Sequence, residues 1–290
     1  EEGVRFAQPY LGSHAIAGSF DAEWLDRIDR DGDSMRSVVA GFGLSPDRIP
    51  EAAYPPESVI GFIETHIEQG PLLKRVDRPV GTVDGIAGQS RLIVHFTGES
   101  GHAGTTPMTM RRDALVTASR WIVAVNEYAM DVDGLCATVG FMDVRPNARN
   151  VIPGQVELSI DVRHATDTIR ILAVDNFCSL ADKLARDDGI DFHVIERQSQ
   201  AAAPMDPFLS EQLAGATSDC GVRSFRMVSG AGHDAAVMAE RFPTALLFIR
   251  QPFGISHHPD EDVRPSDVAV AIRVMTEFVR RLSNRAKSQL

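Results

Sequence analysis

The chain has 290 residues, of which 43% are hydrophobic and 24% charged, which suits a globular protein of one large domain or two ordinary ones. Its 40 acidic and 29 basic residues give a net charge of −11, which argues against a nucleic-acid or anionic-membrane surface because phosphates need clustered cations. The sequence has no long apolar run and no signal peptide, and its three cysteines are far apart, so we expect a cytoplasmic protein whose cysteines are reduced and packed.

The first predicted strand is the short, mostly apolar run Phe62–Ile67. From about Ala87 to Ala201 the predicted order is strand, helix, strand, strand, helix, strand. Alternating apolar residues mark the strands and apolar positions at helical spacing mark the helices. The strands lie near 92–96, 137–144, 156–162 and 190–194, and the helices near 114–128 and 171–186. This order is typical of a ferredoxin-like α+β domain.

Beyond this region the pattern changes again. Asp206 and Pro207 form a good N-cap and first position for a helix, and Pro265 begins a last helix. The run Ala245–Ile249 is continuously apolar, as expected for a strand buried on both faces of an α/β sheet. The sequence therefore predicts one α/β domain, residues 1–86 and 204–290, interrupted by a smaller α+β domain, residues 87–203.

Several polar motifs are candidates for chemistry. Glu1 and Glu2 are adjacent carboxylates that could divide metal binding and proton transfer between them, although surface pairs of this kind are common. His66 falls at the end of a predicted strand, where α/β sheets place site residues, but a lone histidine is also common in cores and on surfaces. His257 follows the second apolar strand, in a histidine- and carboxylate-rich loop that could ligate a metal.

A second set of candidates lies in the α+β region. His102 stands in a glycine-rich loop, where its ring could stabilise an oxyanion. Arg163 lies on the polar face of a predicted strand and could hold a carboxylate at two points, as could Arg91; solvated sheet-face arginines are the alternative. The segment Ser229–Ala235 fits neither a serine-hydrolase elbow nor a phosphate loop.

In combination, these motifs resemble those of the amidase (hydantoinase/carbamoylase) family of dinuclear metal hydrolases, over essentially the whole chain. The motifs, in order, are Glu1-Glu2-Gly3, His66-Ile67-Glu68-Gln69-Gly70-Pro71, Gly101-His102-Ala103-Gly104-Thr105, Asn150-Val151-Ile152-Pro153-Gly154, Asp161-Val162-Arg163, Gly230-Ala231-Gly232-His233-Asp234-Ala235 and Gly254-Ile255-Ser256-His257.

The resemblance implies an α/β fold: a zinc-exopeptidase-like catalytic domain interrupted by a ferredoxin-like lid domain that also forms a homodimer. It implies two divalent metal ions per subunit in the intact enzyme, zinc or manganese. The implied roles are general acid/base for Glu1, metal ligand for Glu2, His66 and His257, oxyanion stabilisation in the partner's site for His102, and substrate binding for Gln69, Arg91, Asn150 and Arg163.

One departure from the family pattern affects these expectations. The family places a metal-binding histidine and a bridging aspartate upstream of the Glu-Glu motif, whereas this sequence begins at that motif. We therefore expect an incomplete catalytic domain, missing its N-terminal part, and predict that this polypeptide binds fewer ions and lacks a competent dinuclear site.

The substrate implied by the resemblance is a small ureido or carbamoyl acid, with allantoate first. An N-carbamoyl-L-amino acid hydrolase is the main alternative. A catalytically incompetent fragment that acts only as a dimeric module is a second alternative, and an aminopeptidase or aminoacylase relative is a third.

Overall fold

The computed structural model describes residues 3–252 and 258–288. The strands are β1 (Phe62–Ile67), β2 (Val80–Ile86), β3 (Gly88–Thr97), β4 (Gly101–His102), β5 (Cys136–Arg145), β6 (Val151–Ile152), β7 (Gln155–His164), β8 (Asp191–Gln200), β9 (Ala203–Pro204), β10 (Arg226–Ser229) and β11 (Thr244–Ile249). The α-helices are α1 (Leu11–Ala17), α2 (Met35–Gly41), α3 (Leu72–Arg75), α4 (Ala114–Asp131), α5 (Asp167–Asp188), α6 (Pro207–Asp219), α7 (Asp234–Ala239) and α8 (Pro265–Ser288).

The chain divides into two compact units. Unit 1 comprises Glu1–Ile86 and Ala203–Leu290, and unit 2 comprises Ala87–Ala202. The fold class is the predicted one, a mixed α/β architecture with a second α+β unit inserted into the first. No helix in the described part of the chain combines the length and apolarity needed to cross a membrane.

Unit 1 is built on a sheet with the strand order β1-β11-β2-β10, in which β9 also pairs with β2. Strand β11 is parallel to β1 and antiparallel to β2, and all six of its residues are buried. The continuous apolar run therefore forms an inner strand, as predicted. His66 pairs with Phe248 near the carboxyl ends of β1 and β11, which places its side chain at the edge of the sheet.

Alternate residues of β11 enter two different cores. Leu247 packs in a cluster with residues of α6 and α8, whereas Leu246 and Phe248 pack in a cluster with residues of α3 and α7. Helices thus cover both faces of the sheet, which explains why β11 has no polar face. Helix α6 begins as predicted, because the Asp206 side chain accepts a hydrogen bond from the Leu209 amide at 2.8 Å.

Unit 2 contains a four-stranded sheet with the order β5-β7-β3-β8, in which all neighbouring strands are antiparallel. Helices α4 and α5 pack on one face, and the Trp121 indole donates a hydrogen bond to the Phe177 carbonyl at 2.9 Å. The predicted ferredoxin-like arrangement is confirmed. The sheet's other face carries the polar residues of β3 and β7, which include Arg91 and Arg163.

The cysteine prediction is partly wrong. The three cysteines are free, and Cys178 and Cys220 are partly buried, but Cys136 is exposed. Cys136 is the first residue of the edge strand β5 and pairs with Arg163 on the polar side of the sheet, so the hydrophobic core lies on the opposite face.

Candidate functional site

One group of side chains in the described part of unit 1 could hold a metal ion: Glu64, His66 and His233, whose ligand atoms all lie within 4.8 Å of one another. Glu64 and His66 are two residues apart on β1, so both side chains project from the same face of the strand. His233 is the residue immediately before α7. Helix α7 packs against β1, and this packing brings a residue from late in the chain to the strand end.

In each of the three side chains, one polar atom contacts a neighbouring backbone or hydroxyl group. His66 Nδ1 lies 2.8 Å from the Ile67 carbonyl oxygen, so it carries the proton and leaves Nε2 with a lone pair in the neutral ring. Glu64 Oε2 accepts a hydrogen bond from the Ala235 amide at 2.8 Å. His233 Nε2 lies 3.0 Å from Ser229 Oγ. Outer partners of this kind orient the ligands of metal sites.

Burial sets the electrostatics of this group. The His233 side chain is 1% exposed and that of Glu64 is 14% exposed. Burial, with a contribution from the neighbouring His66, lowers the pKa of His233 to about 4, so its ring is neutral at neutral pH. Burial likewise raises the pKa of Glu64, because a carboxylate removed from water is costly without a cation.

The remaining gap between these groups suits a cation. His233 Nδ1 and Glu64 Oε1 are 3.8 Å apart, which is too long for a hydrogen bond. The rings of His66 and His233 meet edge to face with their centroids 4.6 Å apart. Two imidazoles and one carboxylate are donors that zinc and manganese accept, so the residues present fit a divalent metal.

The turn after β1 holds Gln69, the predicted substrate-side residue of unit 1. Gln69 has a φ of 55°, in the left-handed region, and is partly buried. The preceding residue, Glu68, is buried, and its carboxylate accepts hydrogen bonds from the Leu72 and Leu73 amides at 2.5 and 2.9 Å. This carboxylate fixes the turn that follows His66.

Two predicted residues of unit 2 are brought together by short strands. His102 is in β4, which pairs with β6, and the Asn150 carbonyl just before β6 accepts a hydrogen bond from the Ala103 amide at 3.0 Å. Both His102 and Asn150 are exposed. The Gly104 amide donates to His102 Nδ1 at 3.0 Å, so the neutral ring carries its proton on Nε2. A donor on Nε2 is what oxyanion stabilisation requires.

Arg91 and Arg163 also lie close together, because β3 and β7 are neighbours. Both guanidinium groups bind the same carboxylate, that of Asp161, at 3.0 and 2.7 Å. Both arginines thus lie on the polar face of the sheet, as predicted. The sequence analysis did not predict that they share Asp161 as a partner.

Three predicted residues, Glu1, Glu2 and His257, lie outside the described residues. In the other direction, sequence reasoning missed Glu64 and His233. The spacing of two residues between Glu64 and His66 on a predicted strand was a usable signal for the first. His233 stands in a glycine-rich segment that is one of the motifs of the family resemblance, but the resemblance assigned it no role.

The comparisons with known proteins agree with this architecture. The family model of peptidase family M20/M25/M40 matches residues 1–281, and the chain belongs to this family. In structure, it is similar to an amidase of the hydantoinase/carbamoylase family from Burkholderia multivorans, with a TM-score of 0.88 and 34% identity over 96% of this chain and 67% of that one.

Curated relatives carry two kinds of name. An allantoate deiminase of Arabidopsis thaliana is 36% identical over 96% of this chain and 59% of its own length. An N-carbamoyl-L-amino acid amidohydrolase of Geobacillus stearothermophilus is 34% identical over 98% of this chain and 69% of its own length. The chain thus spans roughly three-fifths to two-thirds of the length of these relatives.

Proposed function

We propose that the chain belongs to a metal-dependent amidohydrolase that cleaves a linear C–N bond of a small ureido or carbamoyl acid. The observation that carries this proposal is the convergence of Glu64, His66 and His233 in a member of the M20 family. One buried and one partly buried imidazole, each oriented by an outer partner and next to a carboxylate, can bind a divalent cation.

We assign metal ligands on two grounds. By the family resemblance, Glu2 and His257 serve one ion and His66 serves the other. The geometry adds Glu64 and His233 beside His66. When bound, divalent ions such as zinc or manganese acidify a water molecule and polarise the scissile group.

The remaining roles follow the chemistry of hydrolysis. Glu1 accepts a proton from water as its oxygen bonds to the carbamoyl or amidine carbon, and returns that proton to the nitrogen as the C–N bond breaks. His102 donates from Nε2 to the oxygen that gains negative charge. The tautomer set by the Gly104 amide supports this role.

Substrate binding is assigned to side chains that can hold a carboxylate and a ureido group. Arg91, Arg163 and Asn150 bind and orient the substrate's carboxylate, and Gln69 binds on the metal side. The shared location of Arg91 and Arg163 on one polar face supports the first assignment.

Allantoate is the first candidate substrate and an N-carbamoyl-L-amino acid the second. Curated relatives of both kinds have similar identity to the chain, 36% and 34%, so the names alone favour neither strongly. The test is ammonia release from allantoate and from N-carbamoyl-L-methionine, with added Mn²⁺ or Zn²⁺, by the chain and by any longer product of its gene. Release from neither substrate by either protein would refute the proposal.

Metal binding is tested separately from turnover. After dialysis against Zn²⁺, His66→Ala should hold less metal per chain than the unsubstituted protein, whereas His193→Ala, at an exposed position of β8, should hold the same amount. Equal metal content in all three proteins would contradict the role of His66.

We also propose that the protein is a homodimer assembled through unit 2 and that unit 2 acts as its lid. Light scattering during gel filtration tests the dimer, and a monomer at micromolar concentration would refute it. A role as a dimeric module without catalysis predicts the dimer together with no turnover, so the two assays in combination separate these functions.

A further inference from the structure

The open face of the unit 2 sheet carries a row of polar side chains across its four strands. Gln198 of β8, Arg91 of β3, Asp161 of β7 and Thr138 of β5 are successive partners in register. Side chains opposite one another on adjacent antiparallel strands lie on the same face, within reach of each other. The row borders a cavity of about 380 Å³ on this face.

The Asp161 carboxylate is the common acceptor for several donors on this face. Its carboxylate accepts hydrogen bonds from Arg163 Nε at 2.7 Å and Nη2 at 2.9 Å, from Arg91 Nε at 3.0 Å and from Gln89 Nε2 at 2.6 Å. Burial opposes ionisation of the group, but Arg163 and Arg91 outweigh it and hold the pKa of Asp161 below its usual range. The carboxylate is therefore charged and ordered by its donors at neutral pH.

The same bonds also order the donors. The Arg91 guanidinium is bound to Asp161 only through Nε, and its two Nη groups have no other partner among the described residues. Arg91 and Asp161 both line the cavity. A guanidinium fixed at its Nε edge presents its Nη groups in a set direction, which lowers the entropy lost when a carboxylate binds.

We propose that Asp161 is a positioning residue for carboxylate binding by this protein: it aligns Arg91 and Arg163 so that they bind the carboxylate of a small ureido acid at this face. This inference rests on the proposed function for the identity of the ligand. It adds that one carboxylate sets the geometry of both arginines, while the Nη groups of Arg91 remain available to the carboxylate of the ligand.

The substitution Asp161→Asn tests the inference, because its amide group turns donors toward the guanidinium N–H groups. The matched control is Asp143→Asn. Asp143 of β5 accepts from Arg145 Nε at 2.8 Å, so this variant breaks another aspartate–arginine pair two residues apart on the same sheet, away from the cavity. Asp161→Glu keeps the charge at a shifted position, and thermal unfolding of each variant reports whether it folds.

The first measurement is calorimetric binding of N-carbamoyl-L-methionine and of its uncharged amide. We expect Asp161→Asn to weaken binding of the acid by about tenfold or more, because one aligned charge-assisted contact is lost. Binding of the amide should weaken by less than about twofold. Asp143→Asn should change neither affinity. Equal weakening for acid and amide would overturn the inference, since it indicates a general structural role. In an active protein the same loss should appear in KM rather than kcat.

The second measurement keeps the inference separate from the proposed function. The Nε–H proton signals of Arg91 and Arg163 should exchange slowly with water in the unsubstituted protein, and faster in Asp161→Asn but not in Asp143→Asn. Unchanged signals would refute the positioning role even if ureido acids bind. A protein that binds no ureido acid would refute the proposed function. If its signals are nevertheless lost on Asp161→Asn substitution, the ordering of the arginines by Asp161 is supported.

Discussion

Substitution of His233 by glutamine should change how the stability of unit 1 depends on pH. The His233 ring is buried beside Glu64, His66 and Ser229, and its pKa is lowered to about 4. In the unfolded chain the same ring takes up a proton near its ordinary value of 6.5. As pH falls from about 6.5 to about 4, the unfolded state binds this proton and the folded state does not, so folding becomes less favourable.

The size of this effect follows from the two values. At about 1.4 kcal/mol per pH unit, the interval between 6.5 and about 4 corresponds to a loss of about 3 kcal/mol below pH 4 and about 2.5 kcal/mol at pH 4.5. Above pH 7 the loss is negligible. Glu64 works in the opposite direction, since burial raises its pKa and protonation stabilises its folded form as pH falls. The difference between the parent protein and His233→Gln isolates the histidine.

The assay is urea unfolding of chelator-treated protein at several pH values between 7.5 and 4.5. Both proteins carry Trp121→Phe, so that fluorescence comes from Trp24 in unit 1 and not from the indole buried in unit 2. The parent should lose about 2.5 kcal/mol more stability than His233→Gln across this range. His193→Gln, at an exposed position, should lose as much stability as its parent. A difference between parent and His233→Gln that stays constant with pH would refute the assignment of a buried, neutral imidazole.

Two further predictions concern unit 2. Arg170→Met should destabilise it by about 3 kcal/mol in urea unfolding followed by Trp121 fluorescence, because Asp167, Ser90 and the Gln89 carbonyl would each lose the buried guanidinium as a donor. A loss below about 1 kcal/mol would contradict this prediction. Gly98→Ala should lower the melting temperature by several degrees, which corresponds to a loss of stability of about 2 kcal/mol, since its Cβ would lie 2.0 Å from the Arg112 carbonyl oxygen. Gly140→Ala is the control and should melt near the temperature of the parent, because its Cβ would come no closer than 3.9 Å to Ser159 Oγ.

Hydrophobic periodicity predicted most of the fold, because most elements are either amphipathic or wholly buried. It did not predict β2, whose sequence contains Gly81, Asp84 and Gly85. The structure gives a packing reason at Gly81: a Cβ there would lie 2.9 Å from both Leu73 and Met227. Close packing of backbone against side chains requires glycine, and glycine in turn weakens the strand pattern that sequence reasoning depends on.

The candidate site was predictable only where local pattern carried the information. The end of a predicted strand indicated His66, and the polar face of a predicted strand indicated Arg163. Glu64 and His233 lie far apart in sequence, and only the packing of α7 on β1 brings them together. The pairing of Arg91 and Arg163 through Asp161 likewise depends on the register of β3 against β7, which alternation alone does not determine.

The two sites offer different groups to a ligand, and this contrast is an argument for the proposed chemistry. In unit 1 a largely buried carboxylate stands beside two imidazoles, and burial without a cation raises the pKa of this carboxylate. In unit 2 the Asp161 carboxylate orders two guanidinium groups, of which Arg91 borders a cavity that Glu196 also lines. Under the proposed function, a metal cation would bind the first arrangement, and a substrate carboxylate would bind the Nη groups that Arg91 presents in the second. A hydrolase of ureido acids requires both ligands, whereas a purely structural module requires neither.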